Sequence, residues 1–173
     1  QTCALPISLQ GKVTEGKGWV LRNSKGQYTL TLDGLKAGSL ERKTPALEIQ
    51  GDLTLVLKKG TESELLSADA ALKKGAGTLT IRGEGSLRLQ GETALEGEWK
   101  EETLNQDEPS ALRIEGGKLV FTGEETALYE DTVELAGGEI QIQCLNGKGT
   151  GIRAHTLDDR HFSGSLEMEE SEE

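Results

Sequence analysis

A five-residue unit, glycine, one variable residue, then apolar positions alternating with polar ones, returns along this chain and constrains its fold more than any other feature. It reads Gly51-Asp52-Leu53-Thr54-Leu55, Gly77-Thr78-Leu79-Thr80-Ile81, Gly117-Lys118-Leu119-Val120-Phe121, Gly138-Glu139-Ile140-Gln141-Ile142 and Gly164-Ser165-Leu166-Glu167-Met168, and Gly26-Gln27-Tyr28-Thr29-Leu30 is a sixth copy with Tyr at the first apolar place. Period-two alternation turns successive side chains to opposite faces of an extended strand. The glycines step by 25, 26, 40, 21 and 26 residues. A sandwich of hairpins places a turn every 8–12 residues or so and has no fixed longer period, whereas coil-on-coil stacking returns one unit at a near-constant interval. The cadence therefore predicts a solenoid.

A second unit, Ala or Gly followed by an aliphatic residue, keeps pace with the first: Ala46-Leu47-Glu48-Ile49, Ala71-Leu72, Ala94-Leu95, Ala111-Leu112-Arg113-Ile114, Ala127-Leu128 and Gly151-Ile152-Arg153-Ala154. Each turn of the pattern is thus two or three short strands with tight corners. Glu62 to Lys74 is the nearest helical candidate, but its apolar spacing suits a corner and a strand equally, and it is read as a connection. In this arrangement Leu30, Leu53, Leu79, Leu119, Ile140 and Leu166 are expected to stack as one aliphatic ladder inside the coil, each burial worth roughly 1.5–3 kcal/mol.

The segment Gln1-Thr2-Cys3-Ala4-Leu5-Pro6-Ile7-Ser8 lies outside the pattern. It can be written as the codons CAG ACG TGT GCT CTT CCG ATC TCN, the end of a common short-read sequencing adapter, and is set aside as an artefact. That reading makes residues 9–168 a single β-solenoid domain with an insertion at 90–110, and 169–173 an acidic tail. It also leaves Cys144 as the one native cysteine, which makes no intramolecular disulfide. The native N-terminus, with any signal peptide, would then be missing.

The insertion fills the 40-residue step, and its stretch from Glu96 to Pro109 is polar. Insertions in repeat proteins map to loops on one face, often the binding face. Trp99 sits there outside any apolar register, and an indole plane stacks on the C–H face of a sugar while neighbouring carboxylates and amides bond hydroxyls. Glu98, Glu101, Asn105 and Asp107 flank it. The alternative is that Trp99 folds the loop back onto the coil. Tyr129 points opposite to Leu128 by strand parity and is a further ligand candidate, whereas Trp19, ahead of the first clear coil, is read as a cap, and Phe121 and Phe162 as core or corner residues.

Other chemistry is thin. His155, His161, Asp158, Asp159 and Cys144 lack the spacing of a zinc site and are read as surface loop. Gly147 to Gly151 lacks the phosphate-loop spacing and is read as a turn. No catalytic residue is assigned. Calcium fits wherever carboxylates converge, although no D-x-[DN]-x-[DN]-G loop is present. The formal net charge of −11, without a basic cluster, excludes nucleic acid as a partner. No apolar run approaches the roughly 18 residues that cross a bilayer as a helix, so no membrane insertion is expected.

The stretches Tyr28 to Leu35, Pro45 to Thr61 and Gly77 to Leu87 resemble the bacterial β-helix carbohydrate-binding domain family, whose members share an "LTLDG … PAI … GDLTI.L.G … G.LTI.G.G.L" cadence and an architecture similar to pectate lyases. The resemblance spans about residues 19–166. It implies a secreted or cell-surface, non-catalytic binder of plant-type or acidic polysaccharides, with calcium ions in the coil loops, and no ligand residue of the family maps by motif onto a position here. The acidic charge disfavours pectin-like polyanions unless calcium bridges them. The expectation is an all-β, right-handed parallel β-helix (β-solenoid) of about six or seven coils, monomeric, with a polysaccharide as partner. A surface stalk that binds no sugar is the alternative, and a polysaccharide lyase a third reading.

Overall fold

The computed structural model of the chain describes residues 13–98 and 110–170, and the regular structure among them is all β. The described chain begins with three antiparallel strands, β1 (Val13–Gly16), β2 (Trp19–Ser24) and β3 (Gln27–Leu32). Lys25 and Gly26 turn the chain between β2 and β3 with φ of 52° and 81°, the two left-handed residues that a two-residue hairpin loop favours. Trp19 packs half-buried against this end of the core.

From β3 onward each strand pairs in parallel with its equivalent in the next turn. The first turn is β3, β4 (Lys36–Ser39) and β5 (Leu47–Ile49), and the second is β6 (Leu53–Leu57), β7 (Glu62–Ser67) and β8 (Ala70–Lys74). In the third turn β9 (Gly77–Gly83) is followed by the long β10 (Ser86–Glu96), and in the fourth β11 (Ser110–Ile114) by the long β12 (Lys118–Tyr129). These two long strands run along two sides of the coil, with a register shift between Gly91 and Thr93. The fifth turn is β13 (Thr132–Leu135), β14 (Glu139–Cys144) and β15 (Thr150–Arg153), and β16 (Thr156–Asp158) with β17 (Ser165–Glu170) begins a sixth.

Stacking makes three parallel faces. The first is β3-β6-β9-β11-β13-β16, extended by the antiparallel β2 and β1. The second is β4-β7-β10-β12-β14-β17, and the third joins β5, β8, the ends of β10 and β12, and β15. Alternating burial follows the alternating sequence: Leu30, Leu55, Ile81, Ile114 and Leu135 form one inward column of the first face. Leu65, Leu89, Phe121 and Ile142 form one in the second, and Leu47, Leu72, Leu95 and Leu128 one in the third.

The expected single ladder is corrected by this register. Leu30 pairs with Leu55 rather than Leu53, and Leu79 belongs to the first face, whereas Leu119, Ile140 and Leu166 stack in the second. The glycine unit opens first-face strands up to Gly77 and second-face strands from Gly117. Described residues make five complete turns and two strands of a sixth, and each of the six turns holds one glycine unit. The stretch 62–74, read as a connection, is the two strands β7 and β8. Corners stack as tightly as strands: Gly77 has φ of 104°, and a Cβ there would fall 2.6 Å from the carbonyl carbon of Gly51 in the turn before. Only glycine meets both conditions.

Candidate functional site

The third face carries one residue per turn outward in strict register. Leu47, Leu72, Leu95, Leu128 and Ile152 point inward, and the residues immediately after them, Glu48, Lys73, Glu96, Tyr129 and Arg153, form a continuous outer row. At the strand spacing of about 4.8 Å, five rungs span about 19 Å along the coil axis. Glu48, Lys73 and Arg153 are exposed, and Glu96 and Tyr129 are half-buried.

Where the chain leaves the third turn, this row sinks into a cleft of about 490 Å³, a size typical of small-ligand sites. Glu48, Gln50, Lys73, Glu96, Glu98 and Tyr129 wall it, over a floor of Lys74, Gly75 and Gly97. The Arg153 guanidinium lies 5.7 Å from the centre of the Tyr129 ring, within cation–π range. Lys73 stands between Glu48 and Glu96, and none of Glu48, Glu96 and Glu98 joins an ion pair with another described residue. The walls therefore offer carboxylates, an amide, an ammonium and one aromatic ring, the donors, acceptors and apolar plane that a polyhydroxylated ligand uses. A hollow of about 520 Å³ beside Gly83, Gly116, Gly138 and Gly164 is lined largely by glycine corners and has no aromatic ring.

Beneath the floor lies a polar network inside the coil. The side chains of Lys74 and Glu130 are fully enclosed, and their charged atoms are 3.0 Å apart. The ammonium also donates to the Gly75 and Gly77 carbonyls at 3.0 and 2.7 Å and to Ser110 Oγ at 2.8 Å. Ser110 in turn donates to Glu130 Oε1 at 2.6 Å, which also accepts from the Asp131 amide at 2.8 Å. Burial holds the Lys74 ammonium below its ordinary pKa, and the neighbouring Glu130 charge works against that shift.

Of the residues singled out in the sequence, Tyr129 and Glu98 both line the cleft, while Trp99, Glu101, Asn105 and Asp107 lie outside the described residues. Glu48, Gln50, Lys73 and Glu96 escaped the sequence reading as ligand candidates. For Glu48, Lys73 and Glu96 the signal was the position after each Ala-aliphatic pair, which becomes a single outer row once the register is known; Gln50 carried no such signal. Lys74 and Glu130 carried another: charges at inward parity. The histidines do not converge. His155 pairs with Asp131, and Asp158 is held down to about 2 by its hydrogen bonds to Arg160. Cys144 is buried, its thiol 3.2 Å from the Asn146 carbonyl. Among the described residues no group of three or more His, Cys, Asp or Glu is placed to hold a metal ion. No helix among them is long and apolar enough to cross a membrane.

A cleft with this lining on the side of a β-solenoid agrees with comparison to known families. A family described as "Carbohydrate-binding domain-containing protein" matches residues 6–171. The chain belongs to that family. The match runs through every turn of the solenoid, so the domain as a whole, rather than one motif, carries the relationship. No curated protein and no solved structure gives a significant match.

Proposed function

We propose that this domain holds a polysaccharide without transforming it, laid along the outer row Glu48–Lys73–Glu96–Tyr129–Arg153 and seated in the cleft beside Glu98. The observation that carries the reading is the coincidence of that in-register row with the cleft, in a chain of a carbohydrate-binding family. A row parallel to the coil axis suits an extended chain of sugars, each unit meeting the next rung. Tyr129 supplies the apolar plane and the carboxylates and Gln50 the hydroxyl partners. Binding without turnover is supported by the placement of the acid and base groups. Those that face the cleft are partly or fully open to solvent, and the one enclosed ion pair among the described residues, Lys74 and Glu130, is engaged under the floor.

The same proposal includes a monomer, a secreted or cell-surface context as the family resemblance implies, and coils wound right-handed, the sense that nearly all parallel crossovers take. Retention in native gels containing hydroxyethylcellulose, xylan or polygalacturonate, with and without calcium, tests the function. Retardation by at least one polymer is expected. Free migration in all of them favours the stalk, and release of an unsaturated uronide from polygalacturonate would make the domain a lyase.

A further inference from the structure

The buried network lies beneath the cleft, where three turns meet. The residues after the outer row form the next inward column: Ile49, Lys74, Gly97, Glu130 and Ala154, one from each turn. In the first and fifth turns this position is apolar, so the coil itself asks for no charge there. Lys74 and Glu130 belong to turns two and four and meet across the third because Gly97 has no side chain. A Cβ on Gly97 would fall 2.3 Å from the Glu130 carboxylate.

The partners of the network are the segments that form the cleft. Lys74 grips the corner Gly75–Gly77, at the base of the wall that carries Lys73. Ser110, the first described residue after the departure at Glu98, accepts from the Glu98 amide at 3.4 Å, and the Gly97 amide donates to the Tyr129 carbonyl at 2.5 Å. Glu130 follows Tyr129 directly in the chain. A well-packed apolar pair usually matches or exceeds a buried ion pair in stability, so stability alone does not call for this one. What an apolar pair cannot do is hold two corner carbonyls and a hydroxyl at once.

We propose that Lys74, Ser110 and Glu130 are positioning residues of the cleft: their network sets the wall bearing Glu98 and Tyr129 at a fixed distance and angle from the wall bearing Lys73. The inference rests on the reading of the cleft as the glycan site. A site whose supporting groups are removed loosens, and displacement on the order of 1 Å weakens ligand contacts severely.

The test compares affinity with stability in the full chain, using hydroxyethylcellulose, xylan and polygalacturonate as probes. The double variant Lys74→Met/Glu130→Leu is expected to melt cooperatively, at or near the wild-type temperature. It should nonetheless bind the retained polymer about tenfold more weakly when assayed far below its melting point. Ser110→Ala is expected to weaken binding in the same direction. Ile142→Val, in the core of the second face, is expected to lower the melting temperature and leave affinity unchanged. A folded double variant with wild-type affinity overturns the positioning role; if the double variant does not fold, wild-type affinity in Ser110→Ala does so. Binding that is lost in Tyr129→Ala but intact in these variants removes the positioning role and spares the glycan site. Retention of the wild type by none of the three polymers overturns both.

Discussion

Gly97 illustrates how much a single position decides in a stacked coil. Its φ is not in the left-handed region, so the demand for glycine is purely steric: the Glu130 carboxylate occupies the space a methyl group would take. Gly97→Ala is expected to cost about 1–3 kcal/mol through overpacking, read as a shift in the urea midpoint. Tyr129 is the counterpart on the outer side, with the Arg153 guanidinium 5.7 Å from its ring centre. Asp158 gives a pH signature away from the site. Arg160 binds it through side chain and backbone and depresses its pKa from 3.8 to about 2. A depressed carboxylate contributes stability that is present above its unfolded pKa and is lost as pH falls through the folded one. NMR titration of the Asp158 carboxyl should therefore find it still ionised near pH 3, and Arg160→Ala should return its midpoint toward the ordinary range.

Strands in this chain are interchangeable in pattern and distinct in partner. Gly-x-apolar-x-apolar reads the same at β9 and β12, yet β9 lies on the first face and β12 on the second. That is why the alternation predicted a solenoid while the column drawn from it mixed two faces: local pattern sets which residues point inward, and only long-range pairing sets what they stack upon. The lining of the candidate cleft was legible to the same degree. Tyr129 followed from parity beside Leu128, and Glu98 from the polar departure of the chain. Glu48, Lys73 and Glu96 need the register of the third face, and Lys74 with Glu130 needs the gap at Gly97. Two substitutions test the element level. Ile140→Asp places a charge between Leu119 and Leu166 in the second face and should abolish cooperative melting. Phe121→Ala, at the centre of the neighbouring column, should cost about 3–5 kcal/mol while circular dichroism still reports β structure.

Across the whole molecule the two ends of the described coil are built differently. At the start, β1 and β2 fold back as antiparallel strands beside β3, whereas β16 and β17 lie on the outer edge of their faces. Leu157, Leu166 and Met168, which continue inward columns, are 47%, 36% and 56% exposed. Glu167 and Glu169 alternate with them on β17, and charge on an edge strand opposes pairing with another chain. Glu167→Val/Glu169→Val is expected to self-associate with rising concentration in sedimentation velocity, where the parent chain stays at one size. Along the side of the coil, by contrast, five turns deliver five outward residues in line, and four of them, Glu48, Lys73, Glu96 and Tyr129, line the cleft. Affinity electrophoresis of the wild type, Tyr129→Ala and Arg113→Ala in the polymer that retards the domain most tests this assignment directly. Arg113 lies on the first face, paired with Glu134. Retention of Tyr129→Ala is expected to be about tenfold weaker, or about 1.4 kcal/mol, with Arg113→Ala unchanged; wild-type retention in Tyr129→Ala, or loss in Arg113→Ala alone, rules the assignment out.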